Sequence, residues 1–177
     1  RKFIVADTPG HQQYTRNMIT GASTSDLAII LVDSRKGILE QTKRHSFLTS
    51  LMGIKNVVLA INKMDLIDYD QSSYNKIVKN YRNFSRDLEF TKIYDIPVSA
   101  LVGDNILNGS KNLDWFKGPS LIPLLETIQI EHESNIFTLP VQHVIRPNLD
   151  HRSYCGKISS GSISKGDQVV SLPSGKK

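Results

Sequence analysis

Short apolar runs rich in β-branched residues alternate with longer amphipathic stretches, and this rhythm constrains the fold more than any other feature of the chain. The apolar runs cover residues 2–6, 27–32, 56–61 and 93–98. The amphipathic stretches predict helices over residues 14–21, 39–52, 69–88 and 119–130. Strands that alternate with helices form a parallel sheet covered on both faces. The sequence therefore predicts the α/β class, with a doubly wound domain.

The pattern changes beyond residue 133. Strands are predicted over residues 137–145 and 168–172, and residues 155–163 alternate around Gly156 and Gly161 without a helical period. We place the domain boundary near residues 131–135, which divides the chain into residues 1–133 and residues 134–177. The first part is predicted to be a partial α/β domain, and the second is predicted to begin a β-rich domain.

The net charge of +5 admits a nucleic-acid partner. Basic residues recur at helical spacing in the third predicted helix, at Lys76, Lys79, Arg82 and Arg86. Apolar residues occupy the other side of the same helix, at Ile77, Tyr81 and Leu88. We therefore interpret the basic stripe as the solvated face of an amphipathic helix, and no nucleic-acid partner is expected.

Two observations concern the cellular compartment. The apolar runs are much shorter than the roughly 18–20 residues needed to cross a bilayer, so no membrane partner is expected. The single cysteine, Cys155, cannot form an internal disulfide, and the first residues lack the pattern of a secretory signal. The expected compartment is a reducing cytoplasm.

Ligands in this architecture bind beyond the carboxyl ends of the strands. The first predicted strand ends in Asp7-Thr8-Pro9-Gly10-His11. An aspartate at this place can hold Mg²⁺ through water, and Gly10 allows a backbone N–H to approach a terminal phosphate because no Cβ is in the way. The alternative is an ordinary turn, since Asp, Pro and Gly all favour turns.

The third predicted strand ends in Asn62-Lys63-Met64-Asp65. The carboxylate of Asp65 can accept from the N1–H and the 2-amino group of guanine, and adenine offers neither donor in that geometry. Lys63 can lay its alkyl stem across the base, and the amide of Asn62 can tie the loop to the phosphate side. The alternative is a polar loop between a strand and a helix.

The fourth predicted strand continues into Val98-Ser99-Ala100. The backbone N–H groups of Ser99 and Ala100 are candidates to reach the O6 atom of guanine. This signal is weak alone, because such a tripeptide is common, and it gains weight only from its place after the other two motifs.

In this order, and each at a strand end, the three motifs resemble the third, fourth and fifth guanine-nucleotide motifs of the GTPase superfamily. His11 after Gly10 is similar to the translation-factor branch. The resemblance implies GTP and Mg²⁺, with Asp7 and Gly10 serving Mg²⁺ binding and γ-phosphate sensing. It implies that His11 orients the attacking water. The guanine-binding residues would be Asn62, Lys63, Asp65, Ser99 and Ala100.

Within that branch, residues 6–18, 21–24, 33–37, 41–46 and 172–175 resemble the large-subunit family of sulfate adenylyltransferase. Elongation factors share the nucleotide motifs, so the distinction depends on residues 13–16, 35–37, 152–156 and 172–175. The resemblance implies a GTPase domain, with a translation-factor-type β-barrel beginning at residue 134. It also implies that GTP hydrolysis is coupled to the formation of adenosine 5′-phosphosulfate and pyrophosphate, with a small catalytic subunit as partner.

One departure from these families concerns the phosphates. The sequence contains no Gly-x-x-x-x-Gly-Lys-Ser/Thr loop and no segment for the Mg²⁺-binding switch threonine. That loop supplies most contacts to the β- and γ-phosphates, so we expect the chain to be part of a longer protein. Two alternatives stay open. One is an elongation-factor-like GTPase that carries a charged RNA to the ribosome, and the other is a nucleotide-free interaction module.

Overall fold

The computed structural model describes residues 1–7, 15–130, 136–148 and 151–176, and only the backbone of residues 15–17. Within these ranges the strands are β1 (Leu27–Asp33), β2 (Asn56–Asn62), β3 (Lys92–Pro97), β4 (His143–Ile145) and β5 (Ser153–Cys155). The α-helices are α1 (Thr15–Ala22), α2 (Glu40–Leu51), α3 (Gln71–Phe84) and α4 (Leu121–Thr127). Short 3-10 turns follow β2 at Met64–Ile67, follow α3 at Ser85–Asp87, and precede α4 at Lys111–Leu113.

Strands β1, β2 and β3 form a parallel sheet in the order β1-β2-β3. The register places Asp33 beside Asn62 and Ile61 beside Pro97, so the carboxyl ends of the three strands lie at one edge of the sheet. The predicted strands over residues 27–32, 56–61 and 93–98 are confirmed to within one residue at each end. The mixed α/β class with a parallel sheet is confirmed.

Helices pack on both faces of this sheet, as a doubly wound domain requires. On one face, α3 places Tyr74, Ile77 and Tyr81 in a core with Leu59 and Ile61 of β2. On the other face, α4 contributes Leu124 to a core with Val58, Ala60 and Ile96. Strand β2 is central and is buried from Asn56 to Ile61 because both faces are covered. Burial of each large aliphatic side chain contributes about 1.5–3 kcal/mol.

Three of the predicted helices are shorter in the structure, and α3 and α4 differ most from the prediction. Asp70 precedes α3 and accepts from the amides of Ser72 and Ser73, so the helix begins at Gln71 and not at residue 69. Helix α4 begins at Leu121 after Ser120, which places Pro119 outside the helix, although a first-turn position was predicted for it. No described helix is both long enough and apolar enough to span a bilayer.

The prediction of a strand over residues 2–6 is wrong. Residues 1–7 carry no regular secondary structure, and Ile4 and Val5 are exposed. A strand is defined by its hydrogen-bonded neighbours, and no described strand pairs with this segment. An apolar, β-branched run is therefore not sufficient by itself to make a strand.

The chain divides by its internal contacts into two compact units, Arg1–Ile130 and Glu131–Lys177. In the second unit, β4 and β5 form a short antiparallel pair, and isolated bridges join Thr138 to Ser160 and Ser171 to Lys176. The predicted strand over residues 137–145 is reduced to His143–Ile145. The prediction over residues 168–172 is wrong, because only Ser171 makes a bridge and Val170 and Leu172 are exposed.

Candidate functional site

Side chains from three strand ends converge at the carboxyl edge of the parallel sheet. Asp33 closes β1, Asn62 closes β2, and Ser99 follows β3 by two residues. The main chain joins these segments: the amide of Ser34 donates to the Asn62 carbonyl (2.9 Å), and the amide of Met64 donates to the Val98 carbonyl (3.2 Å). The edge is therefore a connected set of loops.

Asn62 organises the loop that follows β2. Its Oδ1 atom accepts from the amide of Lys63 (2.7 Å) and from the amide of Ala100 (3.0 Å). This side chain therefore ties the loop after β2 to the loop after β3. Lys63 has left-handed backbone angles, with φ 65° and ψ 35°, which are uncommon for a residue with a Cβ. The main chain turns sharply here, and Asp65 follows in the short 3-10 turn.

Ser99 holds the carboxylate of Asp65. Ser99 is fully buried, and its hydroxyl donates to Asp65 Oδ1 over 2.5 Å. Asp65 itself is half-buried. A carboxylate has about four lone-pair positions, so both oxygens keep acceptor capacity after this bond is made. The contact fixes the orientation of an acceptor group at the edge of the sheet.

We expected the backbone N–H groups of Ser99 and Ala100 to be available to a base carbonyl. In the structure the Ser99 amide donates to the Asp104 carbonyl (3.1 Å), and the Ala100 amide donates to Asn62 Oδ1. Of these two amides, only that of Ala100 donates to the loop after β2. To bind a base carbonyl, it would have to share its hydrogen bond between Asn62 Oδ1 and the base, or give up Asn62 Oδ1. The clearest contribution of Ser99 is therefore its hydroxyl, which the sequence did not single out.

Asp33 forms a second charged group at this edge, and the sequence patterns did not mark it as a site residue. Its carboxylate contacts Lys63 Nζ (3.0 Å) and Arg35 Nη2 (2.7 Å). Hydrogen bonds from Arg35 and Lys63 hold the pKa of Asp33 well below its usual range. The rule that polar residues at strand ends deserve inspection would have found it, since Asp33 is the last residue of β1.

Hydrogen bonds from neighbouring side chains hold the loop after β3 in place. The side chain of Asp104 accepts from the hydroxyl of Tyr69 (2.5 Å) and from the side-chain Nδ2 atom of Asn112 (3.2 Å). The hydrogen bond from Tyr69 is the main cause that lowers the pKa of Asp104. The buried Asn105 donates to the Pro97 carbonyl (2.8 Å). These contacts fix the loop that presents Ser99 and Ala100.

The phosphate-side residues of the sequence prediction are described only in part. Asp7 is exposed. Gly10 and His11 lie outside the described residues. Within the part of the chain that the structure describes, no three His, Cys, Asp or Glu side chains form a metal-binding group.

The edge thus combines a fixed carboxylate, a lysine in a left-handed turn and a bridging asparagine, all at the ligand-binding end of a doubly wound sheet. A profile of the elongation factor Tu GTP binding domain family matches residues 1–135. The chain therefore belongs to this family of GTP-binding domains.

Individual proteins share more than half of their aligned residues with this chain. The chain is 58% identical over 177 residues to sulfate adenylyltransferase subunit 1 of Shewanella woodyi, which covers 99% of the chain and 38% of that protein. It is 59% identical over 179 residues to the protein of the same name from Vibrio campbellii, with 99% of the chain and 38% of that protein covered. The chain thus spans well under half the length of these curated relatives.

Solved structures give a more distant likeness. The chain resembles sup35 complexed with GMPPNP with a TM-score of 0.57 and 28% identity, over 88% of this chain and 42% of that one. It resembles the bacterial selenocysteine-specific elongation factor EF-Sec with a TM-score of 0.53 and 25% identity, over 94% of this chain and 27% of that one.

Proposed function

We propose that this chain is the guanine-recognition part of the GTPase subunit of a sulfate adenylyltransferase. The observation that carries the proposal is the 58% identity to sulfate adenylyltransferase subunit 1, which extends over 99% of the chain. The identity to the two solved structures described above is 28% and 25%. Identity along nearly the whole chain supports a shared function better than the nucleotide motifs alone, because those motifs occur throughout the superfamily.

Guanine would be recognised at the carboxyl edge of the sheet. Asp65 would accept from the N1–H and the 2-amino group of guanine. A base without these donors would leave the carboxylate of Asp65 unpaired. Lys63 would lie along the base with its stem, Asn62 would hold the two loops together, and Ala100 would offer its amide. The Ser99–Asp65 contact of 2.5 Å supports this assignment, because it fixes the carboxylate before the base arrives.

The phosphate side would be served by Asp7, Gly10 and His11. Mg²⁺ in nucleotide sites is usually held by one or two carboxylates, water and the phosphates themselves, and an exposed carboxylate such as Asp7 fits that chemistry. The ion would neutralise phosphate charge. We propose that Gly10 senses the γ-phosphate through its amide and that His11 orients the attacking water.

In the complete enzyme a small catalytic subunit would carry out the adenylyl transfer. A sulfate oxygen attacks the α-phosphorus of ATP, the bond to the β-phosphate breaks, and pyrophosphate leaves with adenosine 5′-phosphosulfate as the other product. Formation of the phosphate–sulfate anhydride is unfavourable in free energy. Coupling to GTP hydrolysis on this subunit would make the overall reaction favourable. The expected setting is a cytoplasmic heterodimer.

The test is sulfate-dependent release of pyrophosphate from ATP by the full-length protein with its small subunit. We expect GTP to stimulate the release, and the non-hydrolysable analogue GMPPNP to fail to sustain it. A rate that is the same with and without GTP would overturn the proposed coupling.

An elongation-factor-like function is the second candidate, and the likeness to EF-Sec is the observation that favours it. Its RNA would need a basic surface. On α3, Lys76 and Lys79 are exposed, but Arg82 forms an ion pair with Asp95, which fits a solvated helix face. Retention of aminoacyl-tRNA by the GTP-bound protein at physiological salt would favour this candidate, and we expect none.

A further inference from the structure

We propose that Asp33 is a positioning residue that holds Lys63 in place for stacking on the guanine base. The proposal rests on the proposed guanine site and adds to it a residue from a different strand. Asp33 belongs to β1, whereas Lys63 follows β2, and the register places Asp33 directly beside Asn62.

Lys63 is held at three separate points. Its amide donates to Asn62 Oδ1 (2.7 Å), its carbonyl accepts from the hydroxyl of Ser34 (2.8 Å), and its ammonium pairs with Asp33 (3.0 Å). The first two contacts fix a left-handed backbone that a lysine adopts at some cost. The third contact fixes the far end of the side chain. The direction of the alkyl stem between these points is therefore set by Asp33.

Asp33 is itself rigidly placed. One carboxylate oxygen accepts from the amide and the Nε atom of Arg35, both at 3.0 Å, and the other faces Arg35 Nη2 (2.7 Å). Its side chain is 17% exposed, compared with 48% for Lys63. The Arg35 and Lys63 contacts lower the pKa of Asp33, so this carboxylate, which is ionised at neutral pH in any case, stays ionised further into acid. A fixed, charged carboxylate can orient the longer and more exposed side chain of Lys63.

The physical consequence is preorganisation. A free lysine side chain samples many rotamers, and this freedom would be lost when the stem stacks on a base. With Asp33 in place, the ordering is complete before the nucleotide arrives. Loss of Asp33 should therefore increase the dissociation rate of the nucleotide and leave its association rate nearly unchanged.

The experiment is a double-mutant cycle in the full-length protein, with fluorescent GDP as the probe. Asp33→Asn removes the charge and keeps an amide oxygen to accept from the Arg35 amide. We expect Asp33→Asn to raise Kd by about two- to fivefold, the range expected for an exposed ion pair. In a Lys63→Met background, which keeps most of the stem without its ammonium, Asp33→Asn should have no further effect.

Glu89→Gln is the matched control, since it breaks the Lys55–Glu89 pair (3.0 Å) at the opposite, amino end of β2. It should leave Kd unchanged. An equal rise in Kd for Asp33→Asn in both lysine backgrounds, or no rise in either, would overturn the positioning role. Failure of the parent protein to bind guanine nucleotides at all would instead overturn the proposed function together with this inference.

Discussion

Ser99 shows how one hydroxyl can decide the geometry of a proposed binding residue. It is fully buried, and it donates to Asp65 Oδ1. Ser99→Ala should raise the Kd for GDP roughly tenfold or more, because a hydrogen bond to a charged group contributes about 1.5–3 kcal/mol. A titration with fluorescent GDP measures this. Ser85→Ala, at a buried serine whose hydroxyl donates to the Arg82 carbonyl (3.4 Å), is the control. An equal Kd for Ser99→Ala and the parent would contradict the role given to this hydroxyl.

His11 is the residue on which hydrolysis should depend most. If it orients the attacking water, it acts on the transition state and contributes little to nucleotide binding. His11→Ala should slow single-turnover GTP hydrolysis by roughly 10²-fold or more, with the Kd for GTP within about twofold of the parent. Rapid-quench measurement of γ-phosphate cleavage gives the single-turnover rate of hydrolysis. An unchanged cleavage rate would remove His11 from the mechanism.

The sequence alone could indicate Asn62, Lys63 and Asp65 as candidates, because ligands in a doubly wound sheet bind beyond the carboxyl ends of its strands. It could not indicate that Asp33 reaches Lys63 or that the Ser99 hydroxyl reaches Asp65. Those contacts depend on the register between neighbouring strands, which sets Asp33 beside Asn62. Periodicity predicts strands, but it does not specify which residues become neighbours across them.

At the level of elements, the first turn of α3 depends on a single side chain. Asp70 accepts from the amides of Ser72 (3.3 Å) and Ser73 (2.7 Å). A hydrogen bond from the Ser73 side chain, together with these backbone bonds, lowers the pKa of its carboxyl from 3.8. Asp70→Ala should lower the thermal unfolding midpoint at neutral pH, whereas Asp70→Asn, which keeps an acceptor, should lower it less.

The pH dependence of this effect has a definite sign. Because the folded-state pKa of Asp70 lies below the unfolded value of 3.8, the stabilisation is fully present above that pH. It is lost as the pH falls through the folded-state value. The difference in midpoint between the parent and Asp70→Ala should therefore shrink in acid below about pH 3.8. A difference that stays constant into acid would show that the ionised carboxylate is not the cap.

Strands were predictable where both faces are covered. Strand β2 is buried along six consecutive residues, and its apolar run predicted it to within one residue. Residues 2–6 and 168–172 have the same β-branched character, but no described strand pairs with them. The start of α3 was misplaced by two residues because the cap at Asp70 was not recognised, whereas the predicted start of α2 lies within one residue of Glu40 although no side chain caps that helix. Strand pairing is a relation between distant segments, which a local pattern does not contain, whereas a cap such as Asp70 is a local signal that the sequence does contain.

At the scale of the whole molecule, the chain forms two units, and the nucleotide motifs all lie in the first, Arg1–Ile130. The chain spans 38% of the length of sulfate adenylyltransferase subunit 1 from Shewanella woodyi. The proposed coupling between GTP and sulfate adenylylation therefore has to be measured on the full-length protein together with the proposed small subunit.

The base specificity of Asp65 is the central claim, and the Asp65→Asn variant tests it most directly. Asparagine keeps one acceptor for N1–H but presents an N–H₂ to the 2-amino group of guanine, which repels it. Xanthine carries a carbonyl at that carbon and can accept from the new amide. The variant should lose roughly 2–4 kcal/mol of GTP binding, because a charged, two-point contact is lost and a buried donor is left unpaired.

The decisive measurement is sulfate-dependent pyrophosphate release by the full-length complex, with GTP or xanthosine triphosphate supplied in turn. The parent should respond to GTP, and Asp65→Asn should respond to xanthosine triphosphate instead. If the variant still prefers GTP, Asp65 does not read the base, and the assignment of Asn62, Lys63 and Asp65 to guanine recognition is contradicted.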